Sequence, residues 1–265
     1  GIFLVSSVQS AAINVDPTQT FQTMGYQLGG VWTGSWEATD VLGNDIDPSY
    51  SIYADPMMDM AIDEFNINRI RLEIRSSEEN VVSAWKAWRD SGAKGRSPEY
   101  CAWRQSRYAT VDDGGGPDQI NWNGFRFDEF DHQIEKVIIP YKNKLAKRGI
   151  PLLINLTYVS FNRQIASPGG GCPAIRPILD YHHTRNPQEY AEFILATYLH
   201  MQKKYGFVPH SLGVILEPEN PGSGYPGNSW PSWSQSFTIA AAEAAADKLA
   251  ANGFTPRLIL PSGTS

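Results

Sequence analysis

Cysteine is scarce in this chain, at two of 265 residues, which argues against a metal site built on thiolates. No apolar run approaches the roughly 20 residues that cross a membrane. No long basic run offsets the net charge of −6, so phosphate backbones would be repelled and a nucleic-acid partner is not expected. No Gly-x-Gly-x-x-Gly follows an expected strand and no Walker-type glycine–lysine loop is present, so nucleotide binding loses its usual support. A Gly-x-Ser-x-Gly elbow is likewise missing, which leaves a serine hydrolase unsupported. His182 and His183 are adjacent and have no third ligand at zinc spacing, while His132, His200 and His210 are scattered and read as solvated. No cofactor and no resident metal are expected.

What is present is a globular composition: 42% hydrophobic residues and 12% aromatics in 29.4 kDa, enough for a sizeable core in one domain. Several of the eight tryptophans stand in Gly/Pro-rich loops, where flat rings suit weakly polar ligands such as sugars and serve equally as core plugs. Residues 1–12 read as the tail of a signal peptide with a small-residue cleavage site, or alternatively as a first strand. Residues 13–265 then form the domain. Under the export reading the protein is secreted, and Cys101 and Cys172, both in long loops after strands, meet an oxidising compartment and can pair.

Periodicity sets the order of elements. Residues 23–31 read as a glycine-containing strand, followed by a loop with Trp32 and Trp36. Apolar residues at helical spacing predict a helix from Asp55 to Phe65, with Asp55-Pro56 as cap and first turn. Asn68 to Ile74 alternates as a strand. About fifty residues with little pattern follow, Arg75 to Phe125; Trp85 and Trp88 suggest a short helix inside them, and Asp112-Asp113 beside the glycine run reads as a solvated loop rather than a calcium site. Phe127 to Arg148 predicts a helix kinked or split at Pro140. Pro151 to Val159 is nearly continuous and apolar, the mark of a strand covered on both faces. Pro187 to Tyr205 predicts a helix with Asn186 as N-cap and Gly206 as stop. A short strand from near Leu212 ends in Glu217, where Pro218 prevents its continuation. A helix from about Ser234 to Ala251 and a strand from Arg257 to Leu260 complete the series.

Buried strands joined through helices imply a parallel sheet. The fold class is therefore α/β, and the long loops gathered after the strands favour a parallel (β/α) barrel of TIM type over an open nucleotide-binding sheet. The barrel is incomplete, with about five strands and four helices. Barrel enzymes keep their chemistry at the C-terminal ends of the strands, where Glu217 is presented. Its alternative reading is a surface acid opening a loop.

The run Val15-Asp16-Pro17-Thr18-Gln19-Thr20-Phe21-Gln22-Thr23-Met24-Gly25-Tyr26 resembles the opening of the family 30 glycoside hydrolases. Asn68-Arg69-Ile70-Arg71 is similar to the second-strand Asn-x-x-Arg of the wider clan A barrels. The tract from Glu189 through Glu217-Pro218 resembles their third helix and fourth strand, and Arg257-Leu258-Ile259-Leu260-Pro261 their fifth strand. The resemblance implies a retaining glycosidase with Glu217 as general acid/base, a role that needs a raised pKa. It implies that Arg71 lies beside the nucleophile; an ion pair with Glu73 or Asp63 is the plainer alternative. Trp32, Trp36, Trp230 and Trp233 are candidate sugar platforms, or else loop packing. Tyr158 and Asn155 are candidates to line the cleft, with the barrel wall as the alternative for Asn155, and Glu219 is a candidate to position substrate.

Two departures from the clan pattern stand out. Leu216 occupies the place of an asparagine that holds the sugar 2-hydroxyl. The clan nucleophile closes the seventh strand, and none of the 265 residues matches it, although retaining hydrolysis needs two carboxyl groups about 5–5.5 Å apart. The expectation is a secreted glycoside hydrolase acting on poly- or oligosaccharide, completed by a second chain or C-terminal remainder. The alternatives are a non-catalytic carbohydrate-binding barrel or an interaction subunit completed by a partner.

Overall fold

The structure, a computed structural model, describes residues 47–93, 95–108, 113–160, 172–173, 183, 186–216 and 235–260, with side chains from 54 onward and excluding 235. Its elements are α1 (Asp47–Asp63), β1 (Arg69–Arg75), α2 (Ala84–Asp90), α3 (Pro98–Ser106), α4 (Asp128–Gln133), a π-helical segment (Ile134–Ile138), α5 (Ile139–Lys147), β2 (Leu153–Val159), α6 (Pro187–Tyr205), β3 (Ser211–Gly213), α7 (Gln235–Ala251) and β4 (Arg257–Ile259). The strands form one parallel sheet in chain order, β1-β2-β3-β4. A doubly wound sheet reverses its strand order at a switch point. Sequential order with helical returns is instead the arc of a (β/α) barrel. The expected strand at 23–31 lies outside the described residues.

β1 and β2 each have two distinct faces. Ile70, Leu72 and Ile74 of β1 and Ile154, Leu156 and Tyr158 of β2 are buried in one hydrophobic core with the helices. The helix side of that core includes Phe130, Ile134, Val137, Ile138, Tyr141, Tyr190, Phe193, Ile194 and Met201. The two-residue strand period turns Arg71, Glu73, Asn155 and Thr157 to the opposite face. That face is polar.

Local chemistry explains where three of the helices start and where α6 stops. Asn186 accepts a hydrogen bond from the Gln188 backbone N–H at 3.0 Å, Pro187 follows at the first helical position, and Gly206 ends α6 at φ 74°. Ser83 caps α2 and Ser97 caps α3 in the same way. α1 begins eight residues before the expected start, and Pro56 lies inside it rather than in its first turn. α3, unanticipated in the loop after β1, packs on α2 through stacked Trp88 and Trp103 rings 4.7 Å apart. Cys101 of α3 is joined to Cys172 by a disulfide that spans 71 residues of sequence.

Pro140 does not split its helix. Its missing N–H and its ring would disrupt an α-turn, and the chain widens just before it. Ile139 donates its backbone N–H to the Ile134 carbonyl, five residues back, and the helical path continues from α4 into α5.

Candidate active site

The middle of the sheet carries its polar face in registered rows. Arg71 aligns with Asn155 and Ser211, and Glu73 with Thr157 and Gly213. Asn155 donates to Thr157 Oγ1 at 3.3 Å and accepts from Ser211 Oγ at 3.0 Å. Glu73 bridges two arginines, Arg71 at 3.0 Å and Arg75 at 3.2 Å. A Cβ at Gly213 would press on Thr157 Oγ1 at 3.1 Å, so glycine lets the two strands sit close there.

β3 pairs irregularly with β2 beyond Gly213. The Leu216 N–H donates to the Tyr158 carbonyl at 3.0 Å, although Gly213 is already registered with Thr157. Val214 and Ile215 are therefore extra residues, a bulge of the kind that re-aims side chains at barrel rims. Val214 instead donates its N–H to Ile259 of β4 at 3.2 Å. The Leu216 side chain is buried.

Of the residues singled out from sequence, Glu217, Glu219, Trp32, Trp36, Trp230 and Trp233 lie outside the described residues. Arg71 is on the polar face in the ion pair with Glu73, while Asp63 pairs with Arg148. Asn155 shares that face. Tyr158 occupies the helix-covered face instead, edge-on to Tyr190 and Phe193, and its hydroxyl meets His183 Nδ1 at 3.0 Å. Burial raises the Tyr158 pKa, so its hydroxyl stays protonated. Nor are His132, His200 and His210 simply solvated. His200 stacks on Phe127 at 4.1 Å and bonds Asp131, His132 lies against Trp85, and His210 accepts the Ile154 N–H.

Two buried ionic groups flank the strand ends. At the first, Glu129 of α4 meets Arg75 at 2.8 Å, Arg107 at 3.2 Å and the Trp103 indole N–H at 2.8 Å. Burial opposes its charge, yet the two guanidiniums and the indole hold its carboxyl below the usual range. Neighbouring Glu78 has its pKa raised well above the ordinary value, by burial first and by the Glu129 charge second.

At the second, Glu79, Asp113 and Glu192 bring one oxygen each within 4.8 Å of one another, at 1%, 5% and 1% exposure. Asp113 is thus not in a solvated loop. Its carboxylate accepts the Gly115 and Asn121 backbone N–H groups at 2.5 and 2.6 Å, and its own N–H donates to Glu79 at 3.0 Å. A Cβ at Gly124 would collide with that of Asp113, so this turn closes only around glycine. His183 Nε2 bonds the other Glu79 oxygen, extending a chain from Tyr158 through His183 to the carboxyl groups. Glu192 is pushed up to about 9 by burial first, then by Asp113 and Glu79.

Sequence reasoning missed this cluster because its members stand 34 and 79 residues apart, on two loops and a helix. One signal was there to read. Glu192 interrupts the otherwise apolar run Tyr190-Ala191-Glu192-Phe193-Ile194-Leu195.

No family model matches the chain, and no curated protein sequence matches it. Among solved structures it is similar to the beta-glycosidase from the hyperthermophile Thermosphaera aggregans, at 14% identity and a TM-score of 0.36. The likeness covers 80% of this chain and 43% of that one, so the chain spans less than half the length of that enzyme.

Proposed function

We propose that this chain is part of a secreted glycoside hydrolase that acts on poly- or oligosaccharide with retention, Glu217 serving as general acid/base. The observation that carries the reading is the polar face of the parallel sheet, with Arg71, Glu73, Asn155, Thr157 and Ser211 in registered rows. Ligands of parallel α/β folds bind beyond the carboxyl ends of the strands, and sugar hydroxyls call for this density of donors and acceptors. Further support comes from the pairing of β3, which runs through Leu216, the residue immediately before Glu217 in the chain. A disulfide between Cys101 and Cys172 suits an oxidising compartment. The clan A and family 30 resemblance in the motifs around Arg71 and Glu217 supplies the reaction type.

In this reading Glu217 protonates the leaving glycosidic oxygen and later activates water. Arg71 keeps the attacking carboxylate ionised, and that carboxylate comes from outside these 265 residues. Trp32, Trp36, Trp230 and Trp233 stack on sugar rings, while Glu219 and Asn155 position hydroxyls.

The test is an assay of the full-length protein against glucans, xylans, galactans and aryl glycosides, with Glu217→Gln and Arg71→Met beside it. Glu217→Gln is expected to lose about 10²–10⁴-fold on polysaccharide, whose leaving group needs the proton, and less on activated aryl glycosides. Undiminished polysaccharide hydrolysis in Glu217→Gln overturns the assignment. Binding of polysaccharide without turnover in the wild type would favour a carbohydrate-binding barrel instead.

A further inference from the structure

We infer that Glu79, Asp113 and Glu192 form a site for a hard divalent cation, calcium above all, that ties the loop after β1 to helix α6. The inference is independent of the glycosidase reading. All three donors are carboxyl oxygens, the ligand type that selects calcium or magnesium over softer metals. One oxygen from each lies within 4.8 Å of the others, the span of two ligands across a calcium ion at about 2.4 Å each.

Proximity of acids would not suffice by itself. The second observation is Glu192: it is 1% exposed, and among the described residues no N–H or hydroxyl donates to either of its carboxyl oxygens, whose polar neighbour is the Asp113 carboxyl. What it faces are two more carboxyl groups, which offer negative charge and no fixed donor. A buried, undonated carboxyl beside two others is stable only with a proton or a cation, and a divalent cation compensates all three at once.

The other two ligands are already oriented. Backbone N–H groups of Gly115 and Asn121 fix Asp113, while His183 and the Asp113 N–H fix Glu79. Metal-ligating carboxylates are held in this way by outer hydrogen bonds. Glu192 lines a hollow of about 540 Å³ between α6 and α7, rimmed by Asp118, Gln188, Asp247 and Lys248.

The cation contributes structure rather than chemistry: it bridges residues 79 and 113, which lie on either side of α2 and α3, to residue 192 on α6. The experiment is calorimetric titration of the EDTA-stripped, dialysed full-length protein with calcium chloride and, separately, magnesium chloride, with thermal melts in parallel. One binding event per chain is expected, with a melting point raised by about 5 °C or more at saturating calcium. Glu192→Gln is expected to weaken binding at least tenfold while melting no lower than the wild type without cation. The inference is overturned if the wild type shows neither binding heat nor a shift with either ion, a result that needs no variant to interpret. It is equally overturned if the calcium response survives Glu192→Gln unchanged. Glu192→Gln melting higher than wild type under all conditions, with no calcium response in either protein, would mean that the carboxyl groups are balanced by a shared proton only.

Discussion

Arg75, the last residue of β1, meets Glu129 in the first turn of α4 at 2.8 Å, with both side chains almost fully buried. The pair joins the end of a strand to the start of the helix that returns the chain to the next strand. Glu129 also receives Arg107 and the Trp103 indole, so the α2–α3 layer is tied to the same point. Two guanidiniums share one carboxylate there. Removing the carboxylate takes a buried ionic partner from each, leaving Arg75 only the Glu73 pair among the ion pairs described, and Glu129→Ala is expected to cost about 3–5 kcal/mol in urea unfolding at neutral pH.

The Cys101–Cys172 disulfide closes a 71-residue span in the unfolded chain. Replacing both cysteines by serine is expected to lower stability by about 2–4 kcal/mol. Reducing agent should bring the wild type down to the level of the double variant, and thermal melts with and without reductant will show whether the two coincide.

Glu192 gives the protein an acid-side preference. Its folded pKa is near 9 against an ordinary 4.5, so between those values the folded chain holds a proton that the unfolded chain has released. Stability from this group is complete below about 4.5 and is lost as pH rises through about 9. The carboxyl groups of Asp113, Glu79 and Glu189 face it with the same sign. Unfolding free energy of the cation-free protein should therefore fall from pH 5 to pH 9, and Glu192→Gln should flatten that slope. An equally steep slope in the variant would assign the effect to other groups.

Asn186 supplies one bond at the start of the longest described helix, and Asn186→Ala is expected to cost about 1 kcal/mol. Chemical denaturation should show a lower midpoint with an unchanged slope, since the helix end frays while the core of α6 stays packed.

The regular elements were legible because their signals are local. α6 runs from Pro187 to Tyr205, as its cap, proline and glycine require, and β1 and β2 follow from alternation and from a continuous apolar run. Irregular features were not. The one local mark of α3 within the loop after β1 is the Ser97-Pro98 cap signal, too short to stand out from its surroundings. At Pro140 the sequence requires an interruption of the hydrogen-bond ladder but leaves open a break, a kink or a π turn. Packing of Ile134, Val137 and Ile138 into the core accompanies the third. On the site, the polar side of β1 was readable, but its partners were not, because register between strands 84 residues apart is a long-range choice.

By itself the sequence determined the order of strands and helices, hence a parallel α/β sheet, since helix and strand periods and caps are set within a few residues. Tertiary structure alone decided which side chains meet. It turned Tyr158 toward the helices and gave Arg71 to Glu73. It also drove three distant acids into one buried spot. Such encounters depend on burial and on the balance of charge in space, and neither can be read from neighbours along the chain.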